Sequence, residues 1–172
     1  ARLKSIVDFG RKTGRQIVFL GRSLNRYVYA AIKSNHCPFR NNIHMLKYRK
    51  QVNSFLKKLN DNRGKYLIVC TGHQAEPGSI LDRIADDKTP FKFKPGDNVV
   101  FSSSVIPTPV NIRAREKMDE RLTKKGVRIQ KDIHVSGHGS REDLRDLLKI
   151  LKPKHIIPAH GTLEQEKPMI EL

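Results

Sequence analysis

Short apolar segments of strand length alternate along this chain with segments of helical periodicity, and this alternation constrains the fold more than any other feature. Strands are expected at residues 16–20, 65–71, 98–104, 127–135 and 154–158, with amphipathic helices between them. Repeated strand–loop–helix units predict an α/β fold, in which helices flank a mostly parallel sheet. The length of 172 residues allows one sizeable core or two small ones.

Helix start signals support three of the expected helices. Ser23 is expected to cap the helix after the first strand, and Thr108 to cap a helix that begins with Pro109. Ser140 and Asp143 have the spacing of a capping box. A further amphipathic helix is expected where apolar residues recur every three or four positions. These residues are Met45, Tyr48, Val52, Phe55, Leu56 and Leu59.

The charge of the chain favours an anionic polymer as its partner. It carries 34 lysines and arginines against 17 aspartates and glutamates, a net charge of +17 with a pI near 10.2. Nucleic acid is the first expectation and an acidic membrane surface the second. No apolar run approaches the roughly 20 residues of a membrane span, and residues 1–14 do not read as a signal peptide. Cys37 and Cys70 form no metal or disulfide motif, which favours a cytoplasmic location.

Polar, small or histidine residues follow every expected strand. Ligands of parallel α/β sheets gather beyond the carboxyl ends of the strands. Five such loops on one sheet edge would therefore form a binding site. The loops are Gly21-Arg22-Ser23, Thr71-Gly72-His73-Gln74, Ser102-Ser103-Ser104, Ser136-Gly137-His138 and His160-Gly161.

The richest of these segments runs from residue 134 to residue 140. In extended backbone His134, Ser136 and His138 lie on one side, and Ser140 then begins a helix. Imidazoles and hydroxyls beside the free amides of a helix N-terminus suit a phosphate. The residues alone fit equally a capped helix that carries two surface histidines.

The other candidates also have two interpretations. His160 could ligate a metal or be an ordinary turn histidine, since no H-E-x-x-H or H-x-H-x-D-H motif accompanies it. His73 and Gln74 could contact a sugar or base, or only stabilise their own loop. Arg22 stands at a helix start, where the helix dipole disfavours a cation, so it either contacts a phosphate or is solvated.

Several segments, taken together and in order, resemble the ribonuclease J family, a β-CASP branch of the metallo-β-lactamase superfamily. They span nearly the whole chain, and His73 with Gln74 resembles the archaeal form of that loop. The segments are Val18-Phe19-Leu20-Gly21-Arg22-Ser23, Ile68-Val69-Cys70-Thr71-Gly72-His73-Gln74-Ala75-Glu76-Pro77, Lys94-Pro95-Gly96-Asp97, Phe101-Ser102-Ser103-Ser104-Val105-Ile106-Pro107, His134-Val135-Ser136-Gly137-His138-Gly139-Ser140 and Lys152-Pro153-Lys154-His155-Ile156-Ile157-Pro158-Ala159-His160-Gly161.

The resemblance implies a β-CASP domain over residues 1–131. Residues 132–172 would form the strand–helix–strand part with which the chain returns to a metallo-β-lactamase αββα domain. It also implies a two-zinc hydrolase that attacks RNA phosphodiesters as a 5′-to-3′ exonuclease and sometimes as an endonuclease. The implied substrate is single-stranded RNA with a 5′-monophosphate, and the implied whole protein is a homodimer.

Residue roles follow from the same resemblance. His138 matches the catalytic histidine beside the scissile phosphate, and His160 matches a zinc ligand. His134, Ser136 and Gly137 match the loop that holds the RNA phosphate. The candidate RNA contacts also include Ser140, Arg22, His73, Gln74 and Ser104.

The family's H-x-H-x-D-H motif and its further metal ligands lie upstream of the β-CASP insertion and do not occur in these residues. We therefore expect the 172-residue chain alone to lack a complete zinc site and to be inactive. A non-catalytic RNA-binding module and a DNA-acting β-CASP nuclease remain as alternatives. A nucleotide-binding doubly wound domain is disfavoured, because the G-x-G-x-x-G and P-loop motifs are missing.

Overall fold

The computed structural model describes residues 2–131, 133, 139–158 and 162–168. It divides the chain into two compact units, residues 1–134 and 135–172. The expected domain boundary between residues 131 and 132 stays a prediction.

Two parallel sheets form the framework of the first unit. In the larger sheet β1 (Gln16–Leu20) lies between β2 (Ile43–Leu46) and β3 (Tyr66–Val69), and both neighbours run parallel to it. The smaller sheet pairs β4 (Asn98–Val100) in parallel with β5 (Arg128–Gln130). The parallel α/β architecture is thus confirmed, but the strands are divided between two sheets instead of sharing one.

Within the first unit, helices pack against these sheets. Two short 3-10 turns, Arg40–Asn42 and Arg63–Lys65, precede β2 and β3. In the described residues the α-helices are α1 (Arg2–Lys12), α2 (Arg22–Lys33), α3 (Arg49–Leu59), α4 (Ile80–Ala85), α5 (Pro109–Lys124), α6 (Arg141–Leu151) and α7 (Leu163–Glu166).

The central strand β1 separates two hydrophobic cores. Phe19 packs with α1 and α2 residues such as Val7 and Val28 on one face. Leu20 packs with α3 and α4 residues such as Leu56 and Ile84 on the other face. Because both faces are covered, β1 is apolar at consecutive positions, as is typical of parallel strands. A third core joins the second sheet to α5 through Phe101, Met118 and Leu122.

Strand β2 was not expected, and the helix predicted to begin near Met45 begins at Arg49 instead. Met45 and Tyr48 continue the helical spacing of α3 in the sequence, so the pattern does not indicate that a strand precedes this helix. In the structure β2 pairs with β1 from Ile43 to Leu46. A four-residue apolar segment is too short for periodicity to separate strand from helix.

The prediction that Ser23 caps α2 is wrong, because the helix begins at Arg22. Gly21 is the residue before it, with φ of 99° and no side-chain cap. A Cβ at Gly21 would come within 2.8 Å of Ile80 Cδ1. The turn is therefore a glycine turn that lies against the start of α4.

Two predicted caps are confirmed. The Thr108 hydroxyl accepts a hydrogen bond from the Asn111 N–H, with Pro109 in the first turn of α5. Ser140 and Asp143 form the capping box of α6.

The predicted strand at residues 154–158 is not formed, and β4 and β5 are shorter than predicted. Strand hydrogen bonds need a neighbouring strand, and Ile156 and Ile157 are exposed without one in the described part of the chain. The apolar stripe of α6 is also uncovered there, with Leu147 and Leu151 exposed. An amphipathic helix normally packs its apolar side against another part of the protein, and the described residues provide no such surface for α6.

No helix in the described part of the chain combines the length and the hydropathy that crossing a bilayer requires. Both cysteines are free thiols. Cys70 packs against two of the cores, and burial raises the pKa of its thiol to about 12. Cys70 is therefore a packing residue.

Candidate nucleic-acid interface

The loop after β3 makes a tight turn that only glycine accommodates. Gly72 has φ of 129°, and a Cβ there would lie 2.6 Å from Leu81 Cβ and 2.8 Å from Ser79 Oγ. The Leu81 N–H donates to the Thr71 carbonyl at 3.2 Å, which ties the start of α4 to the end of the strand. This close approach holds His73 and Gln74 at the carboxyl edge of the sheet.

Gln74 joins the loops that follow β3 and β4. Its Nε2 donates to the Ser104 carbonyl at 3.1 Å, and its Oε1 accepts from the Ile106 N–H at 3.0 Å. Two loops of different sheets thus meet at one amide side chain. Both polar ends of Gln74 are engaged within the protein, so it positions the site rather than presenting free groups to a ligand.

His73 is half exposed at this junction. Its Nδ1 lies 4.0 Å from Glu76 Oε1, a contact that becomes an ion pair when the imidazole is protonated. Glu76 Oε2 also accepts from the Gln74 N–H at 3.3 Å. The His73 ring is therefore accessible to a ligand, with the Glu76 carboxylate at its side.

Arg115 of α5 holds the His73 loop in place, a role that was not predicted from the sequence. Its side chain is only 7% exposed. Nη1 donates to the His73 carbonyl at 2.9 Å, and Nε donates to Asp119 Oδ1 at 2.9 Å. The guanidinium carbon stands 3.1 Å from the centroid of the Phe101 ring. The signal was present, since Arg115 precedes Met118 and Leu122 of the buried face by three and seven positions.

A cleft of about 230 Å³ opens beside Arg115. Ser103, Ser104 and Lys131 line it, and Ser104 is exposed. The Ser103 hydroxyl accepts from Arg2 Nη1 at 2.7 Å, and Lys131 Nζ pairs with Asp119 Oδ2 at 2.7 Å. The cleft offers hydroxyls and two cations to an anion, but Asp119 neutralises part of that charge.

Arg22 is exposed at the first position of α2. The turn before it is held by buried Asn25, whose Nδ2 donates to the Gly21 carbonyl at 2.8 Å. Because β1 and β3 are parallel neighbours, this turn and the His73 loop lie at the same sheet edge. The structure thus brings together Arg22, His73, Gln74 and Ser104 on one side of the first unit.

Ser140 belongs to the second unit, where its donors serve the helix cap. Its N–H and its hydroxyl both donate to Asp143 Oδ2, at 2.7 and 2.8 Å. The Ser140 N–H, followed by its hydroxyl, holds the pKa of the Asp143 carboxyl below its usual value. The remaining candidates, His134, Ser136, Gly137, His138 and His160, lie outside the described residues.

Across the described ranges, no group of three or more histidine, cysteine, aspartate or glutamate side chains could hold a metal ion. Zinc needs three or four such ligands. The described residues therefore do not fit a zinc site by themselves.

Comparison with known protein families defines the class to which this fold and site belong. Residues 125–166 match the model of the "Zn-dependent metallo-hydrolase RNA specificity domain", and residues 1–119 match the model "Ribonuclease J, beta-CASP domain". The parallel sheet with flanking helices is thus that of a β-CASP domain. The chain belongs to the ribonuclease J β-CASP family.

Curated relatives support this assignment. The chain is 44% identical to ribonuclease J of Methanocaldococcus jannaschii over 162 residues, which covers 94% of the chain and 36% of that protein. It is 42% identical to ribonuclease J of Pyrococcus abyssi, over 94% of the chain and 35% of that protein. Ribonuclease J 1 of Streptococcus pyogenes is 33% identical over 96% of the chain and 29% of that protein. The chain spans about a third of the length of these relatives, and the two archaeal ones are the more similar, as the His73 loop suggested.

Proposed function

We propose that the protein containing this chain is a metal-dependent ribonuclease of ribonuclease J type, in which this chain supplies the RNA-binding β-CASP part. The observation that carries the proposal is the match of consecutive parts of the chain to two domain models, one of ribonuclease J and one of an RNA specificity domain. The net charge of +17 supports a polyanionic substrate.

The proposed catalytic and metal residues rest on the resemblance of their motifs. His138 would act beside the scissile phosphate, His160 would hold zinc, and His134, Ser136 and Gly137 would hold the RNA phosphate. Two zinc ions would complete the site with ligands from other parts of the protein. Bound zinc supplies an activated water and neutralises charge on the phosphate.

The described residues support more specific roles. Arg22 and His73 are exposed at the carboxyl edge of the sheet and would contact RNA directly, and the exposed Ser104 lines the adjacent cleft. Gln74 would act through the loops that it joins. The Ser140 N–H and hydroxyl already donate to Asp143, so a phosphate that binds Ser140 must displace that carboxylate. Ser140 would therefore orient the preceding loop.

The proposed substrate is single-stranded RNA that carries a 5′-monophosphate. Aromatic residues make up only 6% of the chain, so contacts to phosphate should outnumber those to bases. The same proposal includes a homodimer, on the basis of family resemblance, and a cytoplasmic location, which the cysteine usage favours.

A nuclease assay on the full-length protein tests this function. With zinc, it should degrade 5′-monophosphorylated single-stranded RNA and leave DNA of the same sequence intact, and chelation of the metal should stop the reaction. Equal cleavage of DNA would favour a DNA-acting nuclease. Tight RNA binding with no cleavage would favour a non-catalytic binding module.

A further inference from the structure

The charge of this chain is distributed unevenly. From residue 9 to residue 60, between Asp8 and Asp61, there are twelve lysines and arginines and no aspartate or glutamate. All of these positions lie in the described part of the chain, and none of the twelve cations is within 4 Å of a carboxylate there. This acid-free segment includes β1, α2, β2 and α3.

Elsewhere in the first unit, several cations pair with carboxylates of the protein. Arg121 pairs with both Asp82 and Asp86. Arg115 and Lys131 share Asp119. A solvated surface normally mixes charges of both signs, and residues 80–131 follow that pattern. The acid-free segment departs from it, which makes its surface a candidate site for a polyanion from outside the chain.

Helix α2 arranges part of this segment as a stripe. Arg22, Arg26, Tyr29 and Lys33 follow one another at intervals of four, three and four residues, so they share one face of the helix. All four are exposed, whereas Val28, on the other side of the helix, is buried in the core. At a rise of about 1.5 Å per residue the stripe is about 16 Å long.

The stripe combines cations with an aromatic ring. Tyr29 is 55% exposed, and Lys33 Nζ lies 5.6 Å from the centroid of its ring. Arg26 is exposed and makes no ion pair or hydrogen bond with the residues that the structure describes. Cations spaced along a line, with one exposed ring among them, match the backbone and the bases of a single strand.

We propose that the α2 stripe is a binding track for single-stranded RNA, along which Arg26 and Lys33 contact phosphates and Tyr29 stacks on a base. The proposal rests on the proposed function, because it extends the path of the same substrate. The track begins at Arg22, on the sheet edge that carries His73, and leads away from that edge along α2. It would serve RNA longer than the few nucleotides that the edge itself can hold.

Other anionic partners fit this stripe less well. A membrane surface requires an apolar helix face that enters the lipid, but the apolar face of α2 is buried against β1 and α1. An acidic protein would need an apolar centre at the interface, and Tyr29 is the single large apolar side chain among the four residues. The experiment below distinguishes RNA from both of these partners.

The test is RNA binding by the full-length protein in EDTA, where metal-dependent cleavage cannot occur. The affinities for a 3′-labelled 20-nucleotide RNA and for its 5′-terminal 4-nucleotide fragment are measured over a range of salt concentrations. The variant Arg26→Gln/Lys33→Gln removes two cations of the stripe. The matched control Lys57→Gln/Lys58→Gln removes two exposed cations from the last turn of α3.

For the 20-nucleotide RNA, the stripe variant should bind at least about tenfold more weakly at low salt, and its slope of log affinity against log salt should fall by about 1.4. Tyr29→Ala should weaken binding at least about fivefold without changing that slope. The affinity of the control variant for the 20-nucleotide RNA should differ from that of the native protein by less than about threefold. The affinity of the stripe variant for the 4-nucleotide RNA should also differ by less than about threefold.

Equal affinity and slope in the stripe variant and the native protein would overturn the proposal and leave an acidic protein or a membrane as the partner. An equal loss in the control variant would also overturn it, because the effect would then be one of general charge. If the native protein itself does not bind RNA, the proposed function is contradicted. Failure of the proposed function can therefore be told apart from failure of the α2 proposal.

Discussion

Arg115 is the residue on which the geometry of the candidate interface most depends. It connects α5 to the His73 loop through a backbone carbonyl, and it stacks on Phe101, which follows β4. Removing one member of a buried ion pair leaves the other without compensation. Arg115 therefore couples the stability of the first unit to the position of His73.

We predict that Arg115→Met lowers the free energy of unfolding of the chain by about 3 kcal/mol, the lower end of the range for a broken buried pair, because Lys131 still pairs with Asp119. Urea denaturation measures this change. Arg113→Met, on an exposed position of the same helix, is the control and should change stability by about 0.5 kcal/mol or less. Equal effects of the two substitutions would contradict the role of Arg115.

Gly72 is the second residue for which the structure predicts a large effect of substitution on stability. In Gly72→Ala the new Cβ would be strained by the positive φ and would collide with Leu81, and these effects should together cost about 2–4 kcal/mol. Gly64→Ala is the control, because no atom lies within 4 Å of the added Cβ. The thermal unfolding midpoint should fall for the first variant only, and a stable Gly72→Ala protein would show that the turn is not as tight as described.

At the scale of elements, a network of ion pairs links the end of α4 to α5. The hydrogen bonds from Lys88 and then from Arg121 hold the pKa of Asp86 below its usual value. Lys125 is the main cause of the lowered pKa of Asp87. These pairs join the segment that follows α4 to the last turns of α5.

The network predicts a pH dependence with a definite sign. A carboxyl whose pKa is lower in the folded state stabilises the fold above its unfolded pKa of about 3.9, and this contribution is lost as the pH falls through the folded value. The free energy of unfolding should therefore rise between about pH 2 and pH 5. Asp86→Asn should make this rise smaller, whereas Asp61→Asn should leave it unchanged, since Asp61 pairs with no cation in the described residues. A rise of the same size in Asp86→Asn and the native chain would contradict the network.

The elements also show what sequence reasoning can and cannot reach. Helices with capping hydroxyls, such as those that begin after Thr108 and Ser140, were predictable because the cap is a local interaction. Strand β2 and the missing strand at residues 154–158 were not, because a strand depends on a partner elsewhere in the chain. Gln74 was recognised as a loop residue, but its bonds to Ser104 and Ile106 depend on how two sheets are placed.

At the scale of the whole molecule, the described residues carry a basic surface but no group of side chains that could hold a metal ion. The basic surface is present in residues 9–60, and the loops of two sheets meet at Gln74. The described residues form no metal site, and the chain spans about a third of its curated relatives. We therefore expect the 172-residue chain to bind RNA, whereas RNA cleavage should require the full-length protein.

The most direct test is incubation of the 172-residue chain with zinc and 5′-monophosphorylated single-stranded RNA, with binding and cleavage followed in parallel. The chain should bind RNA with an affinity that falls steeply as salt increases, because counterions are released from each phosphate contact, and it should form no cleavage product. Cleavage that is lost in His138→Ala would contradict this account, and so would RNA affinity that does not change between low and moderate salt.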